Sequence, residues 1–192
     1  MRLWTIQTLG AWRRLKRVGR LTGDGRRHWH DFRPAYRWMR VQMMRRGCLG
    51  PLQHPLWTWH FPRPDLRGGA LLSRGIRGVR LELQVPPDRV LLSDFEAWHC
   101  VLNRHYLALT EREDDRFEVL CRRRTGKAIP RWSNLPADLR AHVRMSWERI
   151  FDLERLASSP VWKPRRGTSD IQGTVAEIRL EEVVRADPFI AR

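Results

Sequence analysis

Histidine, cysteine and carboxylate side chains carry most catalytic chemistry, and here their spacing narrows the choices chiefly by what is missing. No G-x-G-x-x-G, Walker A loop, H-E-x-x-H or G-x-S-x-G occurs, so nucleotide cradles of known pattern, zincins and nucleophile-elbow hydrolases lose their support. The seven histidines, at positions 28, 30, 54, 60, 99, 105 and 142, are scattered. His28 and His30 with Asp31 make a solvated loop pair rather than a metal site, and no metal is expected. His99 and Cys100 are adjacent, so on a helix their side chains diverge and do not form a Cys–His dyad. The three cysteines, Cys48, Cys100 and Cys121, form neither a disulfide framework nor a zinc signature, which points to a reducing, cytoplasmic setting.

Arginine is the residue with more to offer. Residues 1–80 hold 18 Lys and Arg against three Asp (Asp24, Asp31 and Asp65), whereas residues 81–192 are nearly neutral; the whole chain carries +16. A strongly basic segment is the footprint of a surface that meets polyanions: nucleic acid, anionic lipid or a phosphorylated ligand. Only three of the 37 basic residues are Lys, a ratio that genomic base composition also produces. Whatever its origin, the planar guanidinium recognises phosphate bidentately. Basic residues interleave with aromatics at Trp29–Arg40 and Trp57–Arg67, the composition found where phosphates pair and bases stack.

These side chains need elements to hold them. LWTIQ (3–7) reads as a strand, Thr8 as the N-cap of a helix with Leu9, Trp12, Leu15 and Val18 on one face, and Gly19 as its end. A second helix spans about Phe32–Arg46, with Asp31 as N-cap, Ala35, Trp38, Met39, Gln42 and Met43 on one face, and Arg33, Arg37 and Arg40 towards the other. Leu56–Phe61 is a strand, residues 62–75 a long loop carrying Asp65 and Arg67, and Val79–Val85 alternates as a half-buried strand. Ser93, with Glu96 three residues later, has capping-box spacing and starts a helix at Asp94. Helices follow over 111–124 and 136–154, and a last strand over 170–180. With 42% hydrophobic residues and ten Trp, disorder is excluded, and no apolar run reaches the length of a membrane span. The expected fold is α+β: one compact domain over 1–192, a mixed or antiparallel sheet, about five helices, and strands near the two ends lying side by side.

Taken in order, LWTIQ (3–7), DFRPAYRWM (31–39), LWTWH (56–60), RPDLR (63–67), LLSDFEAWH (91–99), SWERIFDL (146–153) and IQGTVAEIRLEEV (171–183) resemble a bacterial family, domain of unknown function 3841. The resemblance covers nearly the whole chain, implies a single compact domain and brings no activity with it. It marks Thr5, Gln7, Asp31, Tyr36, Trp57, Trp59, Asp65, Arg67, Ser93, Asp94, Trp98, Gln172 and Thr174 as residues to follow.

The two ends are also similar to ADP-ribosyltransferase-like folds, whose first strand offers a polar residue to a nicotinamide ribose and whose late strand supplies a carboxylate or amide. That similarity implies NAD as cofactor, with Thr5 or Gln7 meeting the ribose, Tyr36, Trp57 or Trp59 stacking on nicotinamide, and Glu177 or, failing it, Gln172 acting late. With the polar loop residues Asp65 and Arg67 added, the candidate catalytic set is Gln7, Asp65, Arg67 and Glu177, and the candidate NAD-binding set is Thr5, Tyr36, Trp59 and Gln172. Two expectations follow. One is a small NAD- or nucleotide-using transferase with its pocket between the terminal strands and the 62–75 loop. The other is a binding module without chemistry, in which Arg13, Arg14, Arg37 and Arg40 grip nucleic acid.

Overall fold

The computed structural model describes residues 1–25, 30–64, 72–163 and 170–191. Asp65, Arg67 and His28 lie outside the described residues. The fold is α+β, with six α-helices and a six-stranded sheet among the described residues, and it divides into two compact units: Met1–Leu92 with Ile171–Arg192, and Ser93–Asp170. No described helix is long and apolar enough to cross a membrane.

In the first unit, β1 (Arg2–Thr8) leads directly into α1 (Leu9–Val18). Thr8 Oγ1 accepts from the Ala11 N–H at 3.1 Å, satisfying a helix-start donor, and Gly19 closes the helix at φ 79°, a conformation that glycine adopts without penalty. Of the expected stripe only Leu15 is fully buried, and Val18 is 51% exposed. After Gly19 the chain turns into β2 (Arg20–Thr22), a short strand without sequence signal. Helix α2 (Arg33–Arg45) buries Ala35, Met39, Gln42 and Met43, four of the five positions assigned to its core face. Phe32, not Asp31, is its N-cap, and no side chain caps it there, because a short 3-10 turn at His30–Phe32 feeds straight into it.

Strands β3 (Leu56–Phe61), β4 (Arg77–Gln84), β5 (Leu91–Asp94), β6 (Ile171–Val175) and β8 (Val183–Ile190) join β1 in the order β5-β6-β3-β1-β4-β8. The pairings of β1 with β3 and β4, β3 with β6, and β4 with β8 are antiparallel. The two chain ends therefore share this sheet, but β1 and β6 are not neighbours: β3 lies between them. The expected final strand over 170–180 breaks at Ala176, and its second part, β7 (Glu177–Arg179), pairs with β2 in a separate two-stranded sheet. Register places Leu3 opposite Leu83, Thr5 opposite Leu81 and Gln7 opposite Val79, so these side chains share one sheet face. Leu3, Val79, Leu81 and Leu83 are fully buried there with Leu15, Val175 and Ile178.

The second unit is helical: α3 (Phe95–Asn103), α4 (Glu111–Thr125), α5 (Ala137–Ser146) and α6 (Leu153–Ser158). Asp94 caps α3, accepting from the Ala97 N–H at 2.8 Å, one residue later than the capping-box spacing suggests, because β5 continues through Ser93. The single helix expected over 136–154 is three pieces, with a 3-10 stretch at Trp147–Phe151 between α5 and α6.

Candidate functional site

Two helices of the first unit turn arginines towards one concavity. On α2, Arg33, Arg37 and Arg40 follow at intervals of four and three residues, so they lie along one face. Arg14 comes from α1. These four, with Tyr36, His54 and the Thr22–Gly25 segment, line a cleft of about 740 Å³. Asp24 is the acidic side chain among its lining residues. Arg40 is committed to structure: its Nε donates to Gln53 O at 2.9 Å and its Nη2 to Pro51 O. Among the described residues, Arg14, Arg33 and Arg37 make no hydrogen bond or ion pair, and all three are exposed.

The wall formed by Thr22–Gly25 is held close to the segment before β3. A Cβ at Gly23 would lie 2.4 Å from His54 O and 2.8 Å from Pro55 O, so only glycine permits this approach. Thr22, Gly23 and Asp24, with Arg14, also line a second chamber of about 430 Å³. Its other walls are the end of β1 and the first turn of α1 (Gln7, Thr8, Gly10, Ala11), together with Leu21, Pro55, Leu56 and Trp57. Tyr36 of the outer cleft and Trp57 of the inner chamber meet edge to face, ring centroids 6.0 Å apart. Burial pushes the Tyr36 phenol above its usual pKa, so it stays a neutral O–H.

Gln7 is oriented from behind. The buried Thr5 hydroxyl donates its proton to Trp57 O at 3.2 Å and accepts from Gln7 Nε2 at 2.9 Å. The structure thus gathers Gln7, Tyr36, Arg14, Arg37 and Arg40 around two adjoining cavities, with Thr5 behind Gln7. It leaves the other expected site residues elsewhere. Trp59 sits opposite both Trp4 and Gln172 in the sheet, and Gln172 is buried at 7% exposure beside it. Glu177 does not line the cleft: its Oε1 accepts from Arg179 Nε at 2.9 Å and lies 3.8 Å from Arg89 Nη2, while Arg89 also pairs with Glu182. Arg13 is exposed on α1 and does not line the cleft either. Arg33 and His54, which sequence reasoning did not select, do line it; the four-residue step from Arg33 to Arg37 is the signal that would have found the first.

The second unit holds a separate cavity of about 290 Å³, lined by Cys100, Tyr106, Asp114, Phe117 and Trp162 among others. Burial and the Asp114 charge push the Cys100 thiol up to about 12, which makes it inert as a nucleophile. Nearby polar groups are spent on structure. Although burial pushes Glu113 up, hydrogen bonds from Arg149 (2.5 Å), the Leu109 N–H (2.8 Å) and the Tyr106 hydroxyl (2.7 Å) outweigh it and bring the carboxyl down to about 2. Among the described residues no three His, Cys, Asp or Glu side chains are grouped to hold a metal ion.

The family model described as Domain of unknown function (DUF3841) matches residues 2–184. The chain belongs to this family. No curated protein and no solved structure matches the chain, and the similarity of its ends to ADP-ribosyltransferase-like folds finds no support. DUF3841 carries no assigned activity, so the function of this member has to be argued from its own cleft.

Proposed function

We propose that this member of DUF3841 binds the phosphate backbone of a nucleic-acid strand in the arginine-lined cleft of its first unit. One observation carries the reading: Arg14, Arg33 and Arg37, from two helices, converge on a single concavity with no hydrogen bond or ion pair among the described residues. Such groups contact phosphate without first breaking an internal bond, and each contact releases counterions from the strand. Tyr36 supplies an aromatic edge beside them, the pairing of charge and ring that single strands favour. The transferase alternative gives the late carboxylate's part to Glu177, which is held by Arg179 and does not line the chamber of Gln7, where the carboxylate is that of Asp24.

Titrating the protein into a fluorescein-labelled single-stranded oligonucleotide at low salt, with fluorescence anisotropy as readout, tests the proposal. Wild type binds and an Arg14→Gln, Arg33→Gln, Arg37→Gln triple variant binds much more weakly. Equal affinities, or no binding by wild type to either RNA or DNA, refute it.

A further inference from the structure

We infer that the inner chamber receives one base of the bound strand, with Gln7 meeting the base edge while the arginines of the outer cleft hold the adjoining phosphates. The inference rests on the proposed backbone binding and adds to it a base subsite, which makes the ligand single-stranded: a base within a duplex is paired and stacked and cannot enter a side chamber. Three observations support it.

The first is continuity. Arg14, Thr22, Gly23 and Asp24 line both chambers, so the two adjoin along a shared rim. The second is the change in lining chemistry. The outer cleft draws on four arginines; the inner chamber shares Arg14, Thr22, Gly23 and Asp24 with it, and its remaining lining is Gln7, the start of α1 and an apolar group of Leu21, Pro55, Leu56 and Trp57. Apolar walls with an aromatic face suit a flat, weakly hydrated heterocycle and not a phosphate.

The third is the state of Gln7. A hydroxyl has one proton, and that of Thr5 goes to Trp57 O, so towards Gln7 it can only accept. This fixes the amide with Nε2 facing Thr5, and leaves Oε1 and the second N–H for a ligand. An acceptor and a donor side by side on a carboxamide complement the donor and acceptor pair on a base edge. Gln7 is a partly buried, pre-oriented amide at the end of a strand, and such a group discriminates better than a mobile surface glutamine.

The test compares two labelled strands of equal length and charge, oligo(dA) and a fully abasic phosphodiester, by anisotropy at fixed salt. Wild type is expected to favour oligo(dA) by about tenfold, in line with the usual contribution of one stacked base. Gln7→Leu should bring that ratio towards one while leaving affinity for the abasic strand unchanged. A second variant avoids dependence on the Thr5 network: Gly10 lines the chamber and a new Cβ there would meet nothing nearer than Thr8 Oγ1 at 3.9 Å, so Gly10→Leu adds bulk at the chamber wall without a clash at its Cβ. It should also abolish the base preference with abasic binding intact. Equal binding of the two strands by wild type, with affinity still falling as salt rises, overturns the base subsite and leaves the backbone reading standing. Absence of binding to either strand overturns both readings, and base preference that survives in both variants overturns the subsite alone.

Discussion

Replacing the three uncommitted arginines should change the salt dependence of binding more informatively than the affinity itself. Arg14, Arg33 and Arg37 have no partner among the described residues, so their neutralisation removes charge without exposing a buried acid. Arg40 is left in place because its Nε hydrogen bond to Gln53 O, at 2.9 Å, supports the chain beyond α2. Each phosphate neutralised on a single strand contributes about −0.7 to the slope of log affinity against log salt, so three contacts contribute about −2. Between about 50 and about 200 mM salt, log salt rises by about 0.6, and the three contacts account for about a twentyfold loss of affinity. Wild type should therefore lose about twentyfold more affinity across that range than the triple glutamine variant. Anisotropy titrations of one labelled strand at five salt concentrations give both slopes. Arg122→Gln with Arg123→Gln, on the exposed last turn of α4 in the other unit, removes two charges away from the cleft as a control and should leave the slope at the wild-type value. If the triple variant keeps the wild-type slope, or the control flattens it equally, the charge that meets the strand is not in this cleft.

Three predictions concern the scaffold. Leu15 is fully buried and is the residue that seats α1 on the sheet, so Leu15→Ala should cost about 2–5 kcal/mol in urea unfolding; a loss below about 1 kcal/mol would contradict that seating. The Glu113 carboxyl is brought from 4.5 down to about 2 in the folded state, so its contribution is present above the unfolded value and is lost as pH falls through about 2. Thermal melts followed by circular dichroism should show stability dropping between those two values, with a shallower drop for Glu113→Gln. At pH 8 a thiol with a pKa of about 12 is ionised in about one molecule in ten thousand, so Cys100 should resist iodoacetamide in the native protein and react after denaturation, as read by peptide mass mapping.

Local signals in the sequence located most elements, and non-local pairing explains the rest. Thr8 and Gly19 bound α1 because capping and the left-handed turn depend on the residue itself. By contrast, β2 has three residues and exists through a partner more than 150 positions away, with Thr22 opposite Glu177. Strand β8 contains Pro188, which reads as a strand breaker; at the sheet edge its missing N–H removes no needed ladder bond. The apolar stripe of 136–154 continues through the break after α5, so periodicity reads one helix. The break is set by tertiary bonds: Ser146 Oγ accepts from Leu107 N at 2.9 Å and Trp147 Nε1 donates to His105 O at 2.8 Å.

For the site, the difficulty lies in telling free charge from committed charge. The basic count of residues 1–80 includes Arg80, which is 9% exposed and bound to Asp187 at 2.6 Å and to Pro64 O at 3.0 Å. It includes Arg2, paired with Glu82 at 3.2 Å, and Arg40, spent on loop carbonyls. In sequence these are indistinguishable from Arg33 and Arg37, since their partners come from distant strands and loops. An arginine already neutralised by an internal acid adds little to a phosphate contact, because the ion pair must be given up first. Net charge is therefore a poor guide to where a polyanion sits. Position relative to a concavity, and the absence of a partner among the described residues, separate Arg14, Arg33 and Arg37 from the other described basic residues of the segment, and both properties arise only once β1, α1 and α2 have been brought together.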